Sequence, residues 1–167
     1  MRSLAFILLS LTLACTQTQE LRFKRLTMKQ SGIDFNNKLS YTEQLNPYTY
    51  KNFYNGGGVG IGDINNDGHP DIFFCGNQVS NKLYLNKGGM KFEDITEQAG
   101  LMSQNVWSAG VSMVDINGDG LLDIYVCKSG PPGGDKRHNE LFINNGDLTF
   151  SEQSDQFGLD NEGLSSQ

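Results

Sequence analysis

Histidine, cysteine, proline and tryptophan are scarce in this 167-residue chain, with two, three, four and one residues respectively. So few histidines and cysteines leave no pair spaced for zinc, which takes ligands of those types at short intervals. Neither His69 nor His138 lies near a serine or cysteine nucleophile motif. The chain is therefore expected not to be an enzyme. Basic residues are also in deficit, 13 Lys and Arg against 19 Asp and Glu. A net charge of −6 argues against nucleic-acid binding, which leaves a basic footprint. Long apolar runs are missing beyond the first fourteen residues. Glycine, by contrast, is abundant at 20 residues, as many tight turns between short strands require. The part after the leader, about 150 residues, suffices for one modest core.

The acids are not scattered. Six of the nineteen fall in two nine-residue loops, Asp63-Ile-Asn65-Asn-Asp67-Gly68-His69-Pro-Asp71 and Asp115-Ile-Asn117-Gly-Asp119-Gly120-Leu121-Leu-Asp123. Oxygen-bearing side chains at positions 1, 3, 5 and 9 have no packing reason to alternate so strictly. A hard cation does explain it, because Ca²⁺ takes six to eight oxygens and a glycine at position 6 permits the sharp turn around it. The expected ligands are Asp63, Asn65, Asp67, Asp71 and the His69 carbonyl in the first loop. In the second they are Asp115, Asn117, Asp119, Asp123 and the Leu121 carbonyl. Two Ca²⁺ per chain would cancel four negative charges, and three carboxylates per loop would repel one another without them. Asx-rich turns are the plain alternative, since Asp, Asn and Gly favour turns anyway. An EF-hand is excluded: position 12 is Phe74 in one loop and Val126 in the other, where a bidentate acid is needed. The residues that follow, Ile72-Phe-Phe-Cys75 and Ile124-Tyr-Val-Cys127, favour strands.

The likeness extends beyond the loops. Fifty-two residues separate Asp63 from Asp115, and at that offset Gly58-Val59 matches Gly110-Val111 and Cys75 matches Cys127. Six residues further, Asn81-Lys-Leu-Tyr-Leu-Asn86 matches Asn139-Glu-Leu-Phe-Ile-Asn144, and Met90-Lys-Phe92 matches Leu148-Thr-Phe150. The extra six fall in Ser129-Gly-Pro-Pro-Gly-Gly134, expected to be a surface loop. Each unit reads as four strands, in the first about 59–64, 72–75, 82–85 and 91–95, with a turn at Asn86-Lys-Gly-Gly89. A period near fifty with four strands per unit predicts an all-β fold of four-stranded antiparallel propeller blades or a related β-repeat array.

These segments resemble the FG-GAP/VCBS-type repeats of integrin α-chain propellers and of bacterial secreted relatives of a cartilage acidic protein. The resemblance covers roughly residues 54–159. It implies blades of a seven-bladed β-propeller outside the cytoplasm, with calcium in many of the loops. Its ligands are the loop residues already assigned from chemistry. Two units fall short of the four blades that closure needs, so further blades or self-association are expected.

The N-terminus carries one positive charge and then a short apolar run ending Thr12-Leu-Ala-Cys15, which resembles a bacterial lipoprotein box. Residues 1–14 are expected to be a signal peptide and Cys15 the lipid attachment, placing the protein at the cell envelope as an outer-membrane lipoprotein. An ordinary signal peptide is the alternative. Residues 15–52 read as a tether and lead-in, 53–104 as the first repeat and 105–167 as the second.

Of the remaining residues, Tyr41, Tyr48, Tyr50, Phe53 and Tyr54 are expected to pack on the first blade, with ligand stacking as the alternative. Trp107 is expected to pack between blades rather than to serve as a sugar platform. Cys75 and Cys127 are expected to be buried free thiols rather than a disulfide. The glycine run Gly56–Gly62 lacks phosphate-loop spacing and is expected to allow close backbone approach. The functional expectation is a binding module for a protein or glycan ligand at the envelope. A part of a larger extracellular propeller enzyme and a structural spacer are the alternatives.

Overall fold

The computed structural model describes residues 22–103, 107–130 and 138–162. The expected signal peptide, Cys15 and residues 131–134 of the proline-glycine stretch lie outside these. Among the described residues, no helix is long and apolar enough to cross a membrane.

Among the described residues, eight strands form two antiparallel sheets, each a simple meander. The first is β1 (Val59–Gly62), β2 (Asp71–Phe74), β3 (Lys82–Asn86) and β4 (Phe92–Asp94); the second is β5 (Ser108–Val114), β6 (Asp123–Lys128), β7 (Glu140–Asn144) and β8 (Phe150–Glu152). Spatial order follows chain order in both sheets. The fold is thus all-β, with two four-stranded sheets of the kind that forms propeller blades. Registers repeat as well: Ile72 opposes Tyr84 as Ile124 opposes Phe142, and Asn86 opposes Phe92 as Asn144 opposes Phe150.

The core lies between the sheets. Phe73, Leu83, Leu85 and Ile95 of the first unit pack with Ile124, Val126 and Phe142 of the second, all buried. Alternation in the strands makes this possible, because one face of each sheet carries the large apolar set. At the inner edge the sheets meet through glycine. A Cβ on Gly58 would lie 2.9 Å from the Gly110 Cα and 3.0 Å from the Val111 nitrogen. This is the close backbone approach expected of the glycine run.

Residues 33–40 strap the opposite face of the first sheet. The Phe35 ring stacks on Phe74 at 4.8 Å, and the Tyr84 hydroxyl donates to Asp34 Oδ1 at 2.6 Å. Asn37 and Asn77 exchange amide hydrogen bonds of 2.6 and 3.0 Å. Ahead of the strap, α1 (Met28–Ser31) is a single turn whose entry is fixed by the Thr27 N–H donating to Gln30 Oε1 at 3.0 Å. A second single turn, α2 (Ser154–Phe157), follows β8. Neither was expected from the sequence, since four residues carry no helical periodicity.

The lead-in aromatics divide, which corrects part of their expected role. Tyr50 and Phe53 are buried, but against Trp107 at 5.1 and 5.5 Å rather than on the first sheet. Tyr41, Tyr48 and Tyr54 are exposed. Trp107 is buried, but in this cluster with Tyr50 and Phe53 and apart from the core between the sheets. Cys75 and Cys127 are both buried and free, and burial pushes the Cys75 thiol up to about 12, so it is an inert apolar group.

Candidate metal centre

Each acidic loop joins the first two strands of its sheet, so its geometry is set by a hairpin that must turn within eight residues. Left-handed backbone makes the turn. Position 4 is Asn66 at φ 56° in one loop and Gly118 at φ 77° in the other, while position 6 is Gly68 at 84° and Gly120 at 87°. Glycine and asparagine are the residues that enter this region at low cost.

The side chains then fold over the turn in the same way twice. The Asp63 carboxylate accepts from the N–H groups of Asp67 at 3.1 Å and Gly68 at 2.7 Å. The Asp115 carboxylate accepts from Gly118 at 2.7 Å, Asp119 at 3.1 Å and Gly120 at 2.9 Å. At position 5, Asp67 accepts from the His69 N–H at 2.8 Å and from Asn65 Nδ2 at 3.0 Å. Its counterpart Asp119 accepts from Leu121 N–H at 2.8 Å and from Asn117 Nδ2 at 2.9 Å. The Asn65 amide, followed by the His69 N–H, holds the Asp67 carboxyl below the usual carboxylate range.

Position 9 differs from the others because it belongs to the sheet. Asp71 and Asp123 are the first residues of β2 and β6 and are fully buried. Asp71 accepts from the Ile64 N–H at 2.9 Å and the Asn86 N–H at 2.7 Å; Asp123 accepts from Ile116 at 3.0 Å and Asn144 at 2.8 Å. Burial raises the Asp71 pKa. Its two amide bonds oppose that shift, and the negative charges of Asp67 and Asp63 add to it.

The donor chemistry fits a hard cation: positions 1, 3, 5 and 9 of both loops carry oxygen-bearing side chains, and in the first loop the charges of positions 1 and 5 are felt at Asp71. The grouping is looser than a finished cage. Among the described residues, no three His, Cys, Asp or Glu side chains converge as a metal-holding cluster. In both loops the position-3 asparagine, Asn65 or Asn117, bonds to the neighbouring position-5 carboxylate. The His69 backbone N–H donates to Asp67, and its ring lies beside Asp67 on the loop surface.

Sequence reasoning recorded Asn86 and Asn144 only as repeat matches, yet they anchor the loops. Each accepts at Oδ1 from a glycine two residues on, at 3.0 Å in both copies. Asn86 Nδ2 donates to the Pro70 carbonyl at 2.8 Å, and Asn144 Nδ2 to the Leu122 carbonyl at 3.2 Å and across to the Ile64 carbonyl at 2.8 Å. The two loops also touch directly, Asn66 Nδ2 donating to the Gly120 carbonyl at 3.0 Å. Recurrence of asparagine at one register position, inside an otherwise apolar strand, was the available signal.

Lys128 gave no signal at all. It is fully buried at the end of β6, paired with Glu140 at 2.7 Å and donating to Ser103 and Ser108 at 3.1 and 3.0 Å. Its equivalent in the first unit is Gly76.

The span from the first acidic loop through β6, residues 63–126, matches the model of the family described as FG-GAP-like repeat. The chain carries an FG-GAP-like repeat. Cartilage acidic protein 1 of Xenopus tropicalis is similar to it as well, 38% identical over 82 residues. That stretch is 48% of this chain and 13% of the relative, so the chain spans a small fraction of that protein's length. The FG-GAP-like match begins on Asp63 and takes in both acidic loops.

Proposed function

We propose that this chain is a calcium-stabilised β-propeller repeat module, without catalytic activity of its own, that binds a protein or glycan at the bacterial cell envelope. One observation carries the reading. Two loops at equivalent places carry the same oxygen-bearing residues at positions 1, 3, 5 and 9, and each ends on a buried aspartate that is also the first residue of a core strand. Asp63, Asn65, Asp67, Asp71 and the His69 carbonyl would hold one Ca²⁺, and Asp115, Asn117, Asp119, Asp123 and the Leu121 carbonyl the other. The ion supplies charge neutralisation and a clamp across the hairpin, tying β1 to β2 and β5 to β6. Nothing in such a site activates water or substrate in this reading; the loops set blade geometry.

The same reading places the protein outside the cytoplasm, exported by residues 1–14 and held on a membrane by lipid at Cys15. Further blades of a seven-bladed propeller, or a second copy, would cover the face of β1 turned away from the second sheet. Val59 is 54% and Ile61 68% exposed there. Their repeat equivalents Val111 and Met113 pack against the core.

Calcium titration by calorimetry, with circular dichroism, tests the proposal. Two Ca²⁺ per chain and a gain in β signal are expected. No binding would reduce the loops to Asx turns and overturn the calcium reading.

A further inference from the structure

Three tyrosines outside both sheets are exposed to an unusual degree for large rings: Tyr48 98%, Tyr41 70% and Tyr54 67%. They line one open cleft of about 570 Å³ with Thr42, Glu43, Asn46 and Pro47. That volume falls within the range of small-ligand sites. We propose that this cleft binds a neutral saccharide, its sugar rings stacking on Tyr41 and Tyr54 and its hydroxyls bonding to Glu43, Thr42 and the phenol groups.

Three properties of the cleft carry this. The first is rigidity. Tyr41 and Tyr54 both set their rings edge-on against Phe53, with centroids 6.4 and 5.1 Å away. Phe53 is fully buried and packs in turn on Trp107 at 5.5 Å. Two exposed platforms thus rest on a fixed base, which lowers the ordering cost of binding. The turn presenting Tyr48 is tied too, by Asn46, whose Oδ1 accepts from Tyr48 at 2.9 Å and whose Nδ2 donates to the Thr42 and Glu43 carbonyls at 3.0 Å.

The second is charge. The lining holds one carboxylate, Glu43, and no cationic side chain. An anionic ligand would be repelled, whereas hydroxyl donors suit a carboxylate acceptor. The third is shape. Tyr41 and Tyr54 meet Phe53 rather than closing on each other. A compact quaternary ammonium needs rings converging on one point. A ligand with successive apolar faces and a hydroxyl rim matches rings spread along an open cleft.

This inference deepens the binding-module reading and rests on it, but not on calcium. Titrating the full chain with cellohexaose, laminarihexaose, maltohexaose and chitohexaose tests it, with choline as the control ligand. Calorimetry and the fluorescence of Trp107, the single tryptophan, give two readouts. At least one hexasaccharide should bind with Kd of about 1 mM or tighter, and Tyr41→Ala and Tyr54→Ala should each weaken it about tenfold. Tyr48→Ala, at a position too exposed to affect folding, should weaken it as well. Binding unaffected by all three substitutions, binding of choline alone, or no response to any hexasaccharide would overturn the proposal. Calcium uptake measured on the same samples separates this failure from failure of the metal sites.

Discussion

The Asn144 side-chain amide donates to the Ile64 carbonyl at 2.8 Å across 80 residues of chain. The anchor of one repeat thereby fixes the loop of the other. Because Asn144 also donates to Leu122 and Ile64 is buried, replacing it with leucine leaves two carbonyls short of a donor. Asn144→Leu should cost roughly 1–3 kcal/mol, more than Asn86→Leu, which has no bond across the units. Urea midpoints of the two variants decide this.

Removal of one position-5 carboxylate should remove one ion. Asp67→Ala and Asp119→Ala are each expected to halve the calcium stoichiometry, and the double variant to abolish it. Saturating wild type at 100 times Kd should add about 2.7 kcal/mol per site, about 5.4 kcal/mol for both, and each single variant should retain only half of that total. Thermal melts with calcium and with a chelator measure it.

The glycines at the inner edge should differ in tolerance. A Cβ on Gly58 runs into backbone, whereas one on Gly62 would lie 2.7 Å from the movable Leu122 Cδ1. Gly58→Ala should therefore destabilise by about 1–3 kcal/mol and Gly62→Ala by much less.

Asp94 supplies the acid-sensitive contact. Burial alone would raise its pKa, but hydrogen bonds from Lys82 and Thr96 outweigh that and hold it below the ordinary value. A depressed acid contributes stability above its unfolded pKa and loses it as pH falls through the folded one. The stability gap between wild type and Asp94→Asn should be full near pH 6 and should close as pH falls below the ordinary carboxylate range. Denaturation series at several pH values read that gap directly.

If the face of β1 turned away from the second sheet is an association surface, Ile61 is its most exposed apolar residue. Ile61→Lys should lower the mass seen in sedimentation without changing the β signal. An unchanged mass would remove self-association from the proposal.

Legibility tracked the range over which each feature is determined. Strand positions came within one or two residues, because short β-prone runs such as Leu83-Tyr-Leu85, bounded by turn-forming residues, are local signals and the loops bracket β1 and β2 on one side. The equivalence of the two loops was legible for the same reason. Long-range partners were not. Whether Tyr50 is buried and Tyr48 exposed depends on Trp107, more than fifty residues away, and both belong to one Pro-Tyr-Thr-Tyr run. Lys128 reads as the polar end of a strand, and only the arrival of Glu140 and two serines makes it a buried ion pair. Met90 and Leu148 adopt positive φ at matching turns, a conformation that no propensity assigns to bulky residues.

Position 4 of the acidic loops bears on how repeats of this kind are counted. Asn66 and Gly118 occupy it for their backbone handedness, and position 6 is glycine for the same reason. Part of the recognisable motif therefore records chain geometry and would persist under selection for the turn alone. A repeat could lose its ion and keep most of its signature, so the number of motifs in a chain sets an upper bound on its ions. The aspartates at positions 1 and 5 are the letters whose decay would mark the loss.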